Sequence, residues 1–188
     1  MLKSREREKL INAVVYFASN TKHCGKIKLI KLLYLLDFEH FRQAGCSVTG
    51  MDYSAWKLGP VPAAFFQEWE QWQPDFASAI EIRPERVIDH ELLKVVPKAD
   101  FDDSCFTPRE LRLMKQLAER FRDERSQPLI NFTHDEIGPW AKIWEGGRGF
   151  LNRIPYALAI RDDDPHADAV RESAVHHRSI RQALGATS

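Results

Sequence analysis

Few side chains in this sequence are grouped as a catalytic site requires. Asp37-x-x-His40 sets a carboxylate and an imidazole three residues apart, the spacing used by metal sites inside helix bundles. Such a site needs a second pair and further carboxylates, and no other stretch offers an inward Glu-x-x-His. Asp37 lies within Leu32–Phe41, the most apolar part of the chain. It is therefore expected to be a structural polar anchor, hydrogen-bonded to a neighbouring segment. His134-Asp135-Glu136 offers acid and base groups, but it stands just ahead of Gly138-Pro139-Trp140, where turn and cap chemistry is the simpler reading. Cys24 stands beside His23 and between Lys22 and Lys26, an environment expected to lower a thiol pKa, with no second partner to complete a nucleophile. His176-His177 falls on a polar helical stretch and is expected to be solvated. The sequence contains no GxSxG, HExxH, P-loop or GxGxxG. Gly146-Gly147-Arg148-Gly149 follows a helical segment and reads as a helix stop. The expectation is a protein that is not an enzyme and uses no metal and no cofactor. An uncharacterised metal-dependent enzyme built on Asp37, His40 or the His134 region is the alternative.

The segment Tyr53-Ser-Ala-Trp56-Lys57-Leu-Gly59-Pro60-Val-Pro62 carries a different chemistry. Aromatic and small residues alternate on an extended stretch, and a Gly-Pro-x-Pro turn then fixes the backbone. One reading is a strand packed over the core. The other is a rigid recognition edge, since Tyr and Trp are favoured interface anchors. Alternate faces of one strand accommodate both. Tyr53, Trp56, Lys57, Gly59 and Pro60 are the partner-interface candidates, and the polar C-terminal helix is a second candidate surface.

These residues need a scaffold, and the chain is long enough to build one. Its 188 residues, 44% apolar and 29% charged, have the composition of a globular domain able to bury about 70% of its unfolded surface. A first helix is expected from an N-cap near Ser4, with Leu10, Ile11, Val14, Phe17 and Ala18 on one stripe. A second, from about Lys26 to Gln43, is apolar nearly all round and stops at Gly45, which marks a central helix surrounded by other elements. A third follows Pro62, with Phe65, Trp69 and Trp72 on one face. Ile80–Arg83 and Leu92–Val96 suggest a two-stranded hairpin within 74–105. Thr107-Pro-Arg-Glu110 is a capping box with proline at the first helical position, followed by the stripe Leu111, Met114, Leu117, Ala118 and Phe121. Short helices are expected at about Gln127–Asp135 and from Pro139 to Gly146. A last, polar helix is expected from Asp164 to about Leu184, with 150–160 apolar but unassigned. The fold class is mainly α with a minor β part (α+β): a compact helical domain around a buried central helix, with a small hairpin. Residues 1–160 form the domain, and 161–188 form a C-terminal polar helix that either belongs to it or extends from it.

Lys and Arg together number 27 and so do Asp and Glu, so bulk charge points to neither nucleic acid nor membrane. The longest apolar run, Leu32–Leu36, is far short of a membrane span. Cys24, Cys46 and Cys105 are scattered without a CxxC, and the N-terminus lacks a signal-peptide pattern, which fits a cytoplasmic protein. Residues 1–31 nevertheless hold eight lysines and arginines against Glu6 and Glu8. That local excess supports an alternative reading, a DNA-binding regulator using the basic N-terminal region.

The stretch Lys28-Leu-Ile-Lys-Leu-Leu-Tyr34-Leu-Leu-Asp37, then Gly45, Val48-Thr-Gly50, Asp52-Tyr53-x-x-Trp56 and Gly59-Pro60-Val61, resembles the Panacea domain of SocA-like antitoxins and phage-associated proteins. The Thr107–Phe121 helix and the Pro139-Trp140 pair match its layout, and the resemblance spans about residues 8–160 by element order. It implies a mainly helical antitoxin of a bacterial or phage toxin–antitoxin system. Such a protein neutralises a cognate toxin by direct contact, or acts as an adaptor delivering it to a ClpXP-type protease, without catalysis.

Overall fold

A computed structural model describes residues 5–87, 90–135 and 137–183. The order is α1 (Glu6–Asn20), α2 (Lys26–Ala44), β1 (Ser54–Trp56), β2 (Gly59–Val61), α3 (Ala63–Glu68), α4 (Pro74–Ala79), β3 (Ile80–Val87), β4 (His90–Pro97), α5 (Pro108–Arg120), α6 (Ser126–Thr133), α7 (Pro139–Trp144) and α8 (Ala167–Ala183). The fold is mainly α, with two separate antiparallel hairpins, β1–β2 and β3–β4. The expected Ser4 cap lies outside the described residues.

Helix α2 is the axle. Leu29, Ile30, Leu32, Leu33, Leu35, Leu36 and Phe38 are all buried, and α1, α5, α6, α8, β2 and β4 pack around it. A Leu-rich segment keeps side-chain freedom in a helix, and each fully buried Leu contributes about 1.5–3 kcal/mol of transfer free energy. Gly45 ends it at φ +74, its N–H bonding the Phe41 carbonyl. A Cβ there would lie 2.6 Å from the Ala174 backbone nitrogen, so glycine also lets α8 cross closely.

Four polar residues at a spacing of three, Lys28, Lys31, Tyr34 and Asp37, are buried on this apolar helix. Successive steps of 300° make the row wind half-way around the axis, so each head group meets a different neighbour. Lys28 Nζ donates to the carbonyls of Lys22 and Glu124 at 2.7 and 2.6 Å, joining the α1–α2 and α5–α6 connections. Lys31 Nζ donates to Pro60 O at 3.1 Å. Tyr34 turns its hydroxyl toward the Trp140 backbone at the start of α7. Asp37 takes the segment after α2.

Elsewhere the local chemistry is direct. Thr107 and Glu110 close the capping box of α5, and buried Glu110 also pairs with Lys9 of α1 at 2.7 Å. The third helix is shorter than the aromatic spacing suggests. It ends at Glu68, and Phe65, Trp69, Trp72 and Phe76 meet across a turn into α4, with ring centroids 5.0–6.3 Å apart. Phe65 and Phe76 are buried, while Trp69 and Trp72 are half-buried against the core. Arg7 holds this turn: its guanidinium forks to Glu68 and Asp75 and lies 4.4 Å over the Phe76 ring. Helix α4, absent from the sequence reading, is one short turn-and-a-half with proline at its start. The last helix begins at Ala167 rather than Asp164, after a turn. It buries only Ala167 and Val170, against Ile160 and Phe41, in a small cluster apart from the main core.

Candidate protein-interaction site

Hairpin β1–β2 is built for rigidity. Trp56 pairs with Gly59, so only Lys57 and Leu58 form its tip. Gly59 holds φ +103, and a Cβ there would lie 2.4 Å from Lys31 Nζ and 2.9 Å from His134 Nε2. Both the backbone angle and the close approach therefore require glycine. The other edge of β1 is covered by residues 151–154: Ala55 N–H donates to Asn152 O, Leu151 N–H to Ala55 O and Ile154 N–H to Tyr53 O.

Beneath the tip runs a row of rings. His134 stacks on Trp140 at 3.9 Å, Trp140 on Trp144 at 5.5 Å, and Trp144 meets Phe150 edge-on at 6.3 Å. Trp140 Nε1 donates to Trp56 O at 3.0 Å, tying the row to the hairpin. On these same segments the large side chains Leu58, Ile137, Phe150 and Leu151 are each more than half exposed. Leu151 also holds φ +68, a left-handed backbone unusual for a branched, non-glycine residue. A rigid tip, exposed apolar side chains and a strained exposed leucine coincide, and strain of this kind concentrates at functional surfaces.

The expected interface residues divide between surface and support. Lys57 is exposed at the tip. Trp56 is half-buried, its ring 5.0 Å from Phe66. Gly59 and Pro60 are buried and shape the turn from below. Tyr53 is fully buried, so it supports the hairpin and cannot itself touch a partner. Its hydroxyl donates to Asp37 at 2.9 Å. Asp37 also accepts the Val48 and Thr49 backbone N–H groups, each at 2.8 Å, and the Thr49 hydroxyl. Complete burial pushes its carboxyl up to about 6 against the pull of these donors. Ile137, Phe150 and Leu151 escaped the sequence reading. Their only signal was apolar side chains among glycine-rich turns, which sequence alone does not separate from core.

The candidate chemistries are placed elsewhere. His40 Nδ1 bonds Cys46 O at 2.7 Å, and Asp37 turns to the 48–53 segment, so the two do not converge. No cluster of three metal-ligating side chains occurs among the described residues. Cys24 is buried, and its thiol is pushed up to about 11 by burial, against the smaller pull of Lys28 and Lys94. This corrects the expectation from its basic sequence neighbours. His134 lies under Gly59, Asp135 is exposed beside it, and Glu136 falls outside the described residues. The row His176–His177 is exposed on α8. No helix among the described residues is long and apolar enough to cross a membrane.

Six of the eight basic residues of the N-terminal stretch are engaged within the fold. Arg7, Lys9, Lys22 and Lys26 are ion-paired with Glu68, Glu110, Asp123 and Glu70, and Lys28 and Lys31 are buried. Most of this local excess therefore has a partner inside the molecule, which weakens the charge argument for nucleic-acid binding; Arg5 is exposed, and Lys3 lies outside the described residues.

Among the curated proteins nothing matches this chain, and no solved structure matches it. A family description does: the SocA-like antitoxin, Panacea domain, over residues 29–141. That span covers more than half of the chain, from Leu29 of α2 through the β1–β2 tip to Trp140 of the ring row, and the chain belongs to the SocA-like antitoxin family built on the Panacea domain.

Proposed function

We propose that this protein is a non-catalytic antitoxin that neutralises a cognate toxin by direct contact through the β1–β2 tip. The observation that carries the location is the exposed set Lys57, Leu58, Ile137, Phe150 and Leu151 on one rigid, cross-tied support. Family membership supports the role. A preorganised hairpin loses little entropy on binding, and the few apolar side chains that become fully desolvated at the centre of the contact then contribute an outsized share of the affinity. Delivery to a ClpXP-type protease is the adaptor form of the same reading. The weakly docked, mostly exposed α8 is the surface proposed for it.

Co-expression with the products of its flanking genes tests the role. Restored growth against one of them, together with co-purification, is the expected result. Leu58→Asp and Phe150→Asp variants with unchanged melting temperatures should lose both. Full neutralisation by these variants refutes the location, and failure of the parent protein against every flanking product refutes the role.

A further inference from the structure

A second concave surface shares no residue with the tip. A cleft of about 400 Å³ lies where the first turns of α2 and α6 meet, lined by His23, Lys26, Ile27, Leu92, Leu93 and Arg125 among others. Its size falls in the range of small-ligand and peptide pockets. One wall is aliphatic: Ile27 with Leu92 and Leu93 of β4, and Leu93 is half exposed. The other end is positive for three separate reasons. Helices α2 and α6 both begin here, and neither has a side-chain cap. Arg125, at the N-cap of α6, is exposed, with no ion pair or hydrogen bond among the described residues. Lys26 stands at the rim, its ammonium 3.4 Å over the Phe66 ring and 3.5 Å from the exposed carboxylate of Glu70, a pair weak enough to exchange. His23, in the left-handed region at φ +52, keeps its Nδ1 buried without a partner among the described residues.

We infer that this cleft binds the C-terminus of a partner polypeptide, with the carboxylate at the α2–α6 junction and an aliphatic last side chain against Leu92 and Leu93. The charge pattern selects the occupant. A neutral apolar segment would bury the Arg125 guanidinium and the helix starts without partners, and a highly acidic one would leave the leucine wall unused. A chain end supplies one carboxylate beside one apolar side chain, and its two oxygens suit donors arriving from two helix starts. The edge of β4 is paired with Cys24–Gly25 through the Val95 N–H to Cys24 O bond and the Gly25–Lys94 bridge. That pairing ends beside the leucine wall, and it fixes the wall relative to α2.

The test uses the full chain and a pool of fluorescein-labelled heptapeptides randomised at their last three positions. The pool is made once with a free C-terminal carboxylate and once as the amide. Retained peptides are identified by mass spectrometry and their affinities measured by fluorescence anisotropy. Free-acid peptides ending in Leu, Ile or Val should be enriched. Their amides should bind at least about tenfold more weakly, and Arg125→Glu and Leu93→Asp should each weaken binding by a similar factor at unchanged melting temperature. Leu58→Asp should leave it untouched, which separates this site from the toxin contact. No enrichment, equal binding of acid and amide, or indifference to both cleft substitutions overturns the inference.

Discussion

Asp37 gives the most demanding stability experiment. Its carboxylate receives two backbone N–H groups and two hydroxyls, from Val48, Thr49 and Tyr53, in a site with no solvent exposure. Asp37→Ala leaves all four donors buried without an acceptor. The hydroxyls can turn elsewhere, but the two N–H groups are fixed by the backbone. At about 1–3 kcal/mol for each orphaned group, those two alone cost about 2–6 kcal/mol, a large share of the about 5–15 kcal/mol that holds a domain folded. Asp37→Asn is the informative partner. Its Oδ1 keeps both N–H groups, and its Nδ2 donates to the two hydroxyls, which accept as readily as they donate. It should cost only about 1 kcal/mol. Urea unfolding followed by tryptophan fluorescence and circular dichroism measures both. The folded carboxyl is raised to about 6 from an unfolded value near 3.8, so its contribution is full below the lower value and lost as pH rises through the upper. Asp37→Asn should therefore lose less stability than the parent between pH 4 and 6. Equal costs for Ala and Asn, or an Ala cost under about 1 kcal/mol, would refute the anchoring argument.

Other outcomes follow from the same contacts. Lys31 is lowered to about 7 by burial, so the unfolded chain binds the extra proton and stability should rise with pH from about 7 to 10. Lys31→Met should reduce that slope in denaturation curves taken across the range, leaving the part due to Lys28, which burial also lowers. Leu151→Gly should relieve the positive φ and stabilise by about 1 kcal/mol, read as a higher urea midpoint, while weakening toxin capture. Phe65→Ala should cost about 3–5 kcal/mol and Trp69→Ala clearly less, because Phe65 is buried and Trp69 is only half so; equal costs in the same unfolding assay would contradict that ranking.

Much of this architecture is legible in the residues, and the exceptions have physical causes. Helix α2 declares itself through an apolar run ended by glycine, and α5 through its capping box, because each signal is local and repeated. The row Lys28, Lys31, Tyr34 and Asp37 is visible as a spacing of three, but the segments each head group reaches are distant in sequence. Helices α3 and α4 were misjudged because six residues show less than two turns of periodicity, and their ends are fixed by Arg7, some 60 residues away. The proposed interaction surface was half legible. Gly59-Pro60 and Lys57 stand in an evident turn, but burial of Tyr53 depends on an acceptor in another element. Exposure of Ile137, Phe150 and Leu151 depends on tertiary placement. The pairing of the basic N-terminus is hidden for the same reason, since the carboxylates that meet Arg7, Lys9, Lys22 and Lys26 lie at Glu68, Glu110, Asp123 and Glu70.

The central claim is the proposal that this protein acts as an antitoxin by holding a cognate toxin at the β1–β2 tip. Titration calorimetry of the purified parent and of folded Leu58→Asp, with the flanking-gene product against which the parent restores growth, tests it most directly. The account predicts a stoichiometric complex with the parent and a loss of at least about 2 kcal/mol of binding free energy, some thirtyfold in affinity, for the variant. Undiminished affinity in the variant, or rescue without any detectable complex, would contradict it.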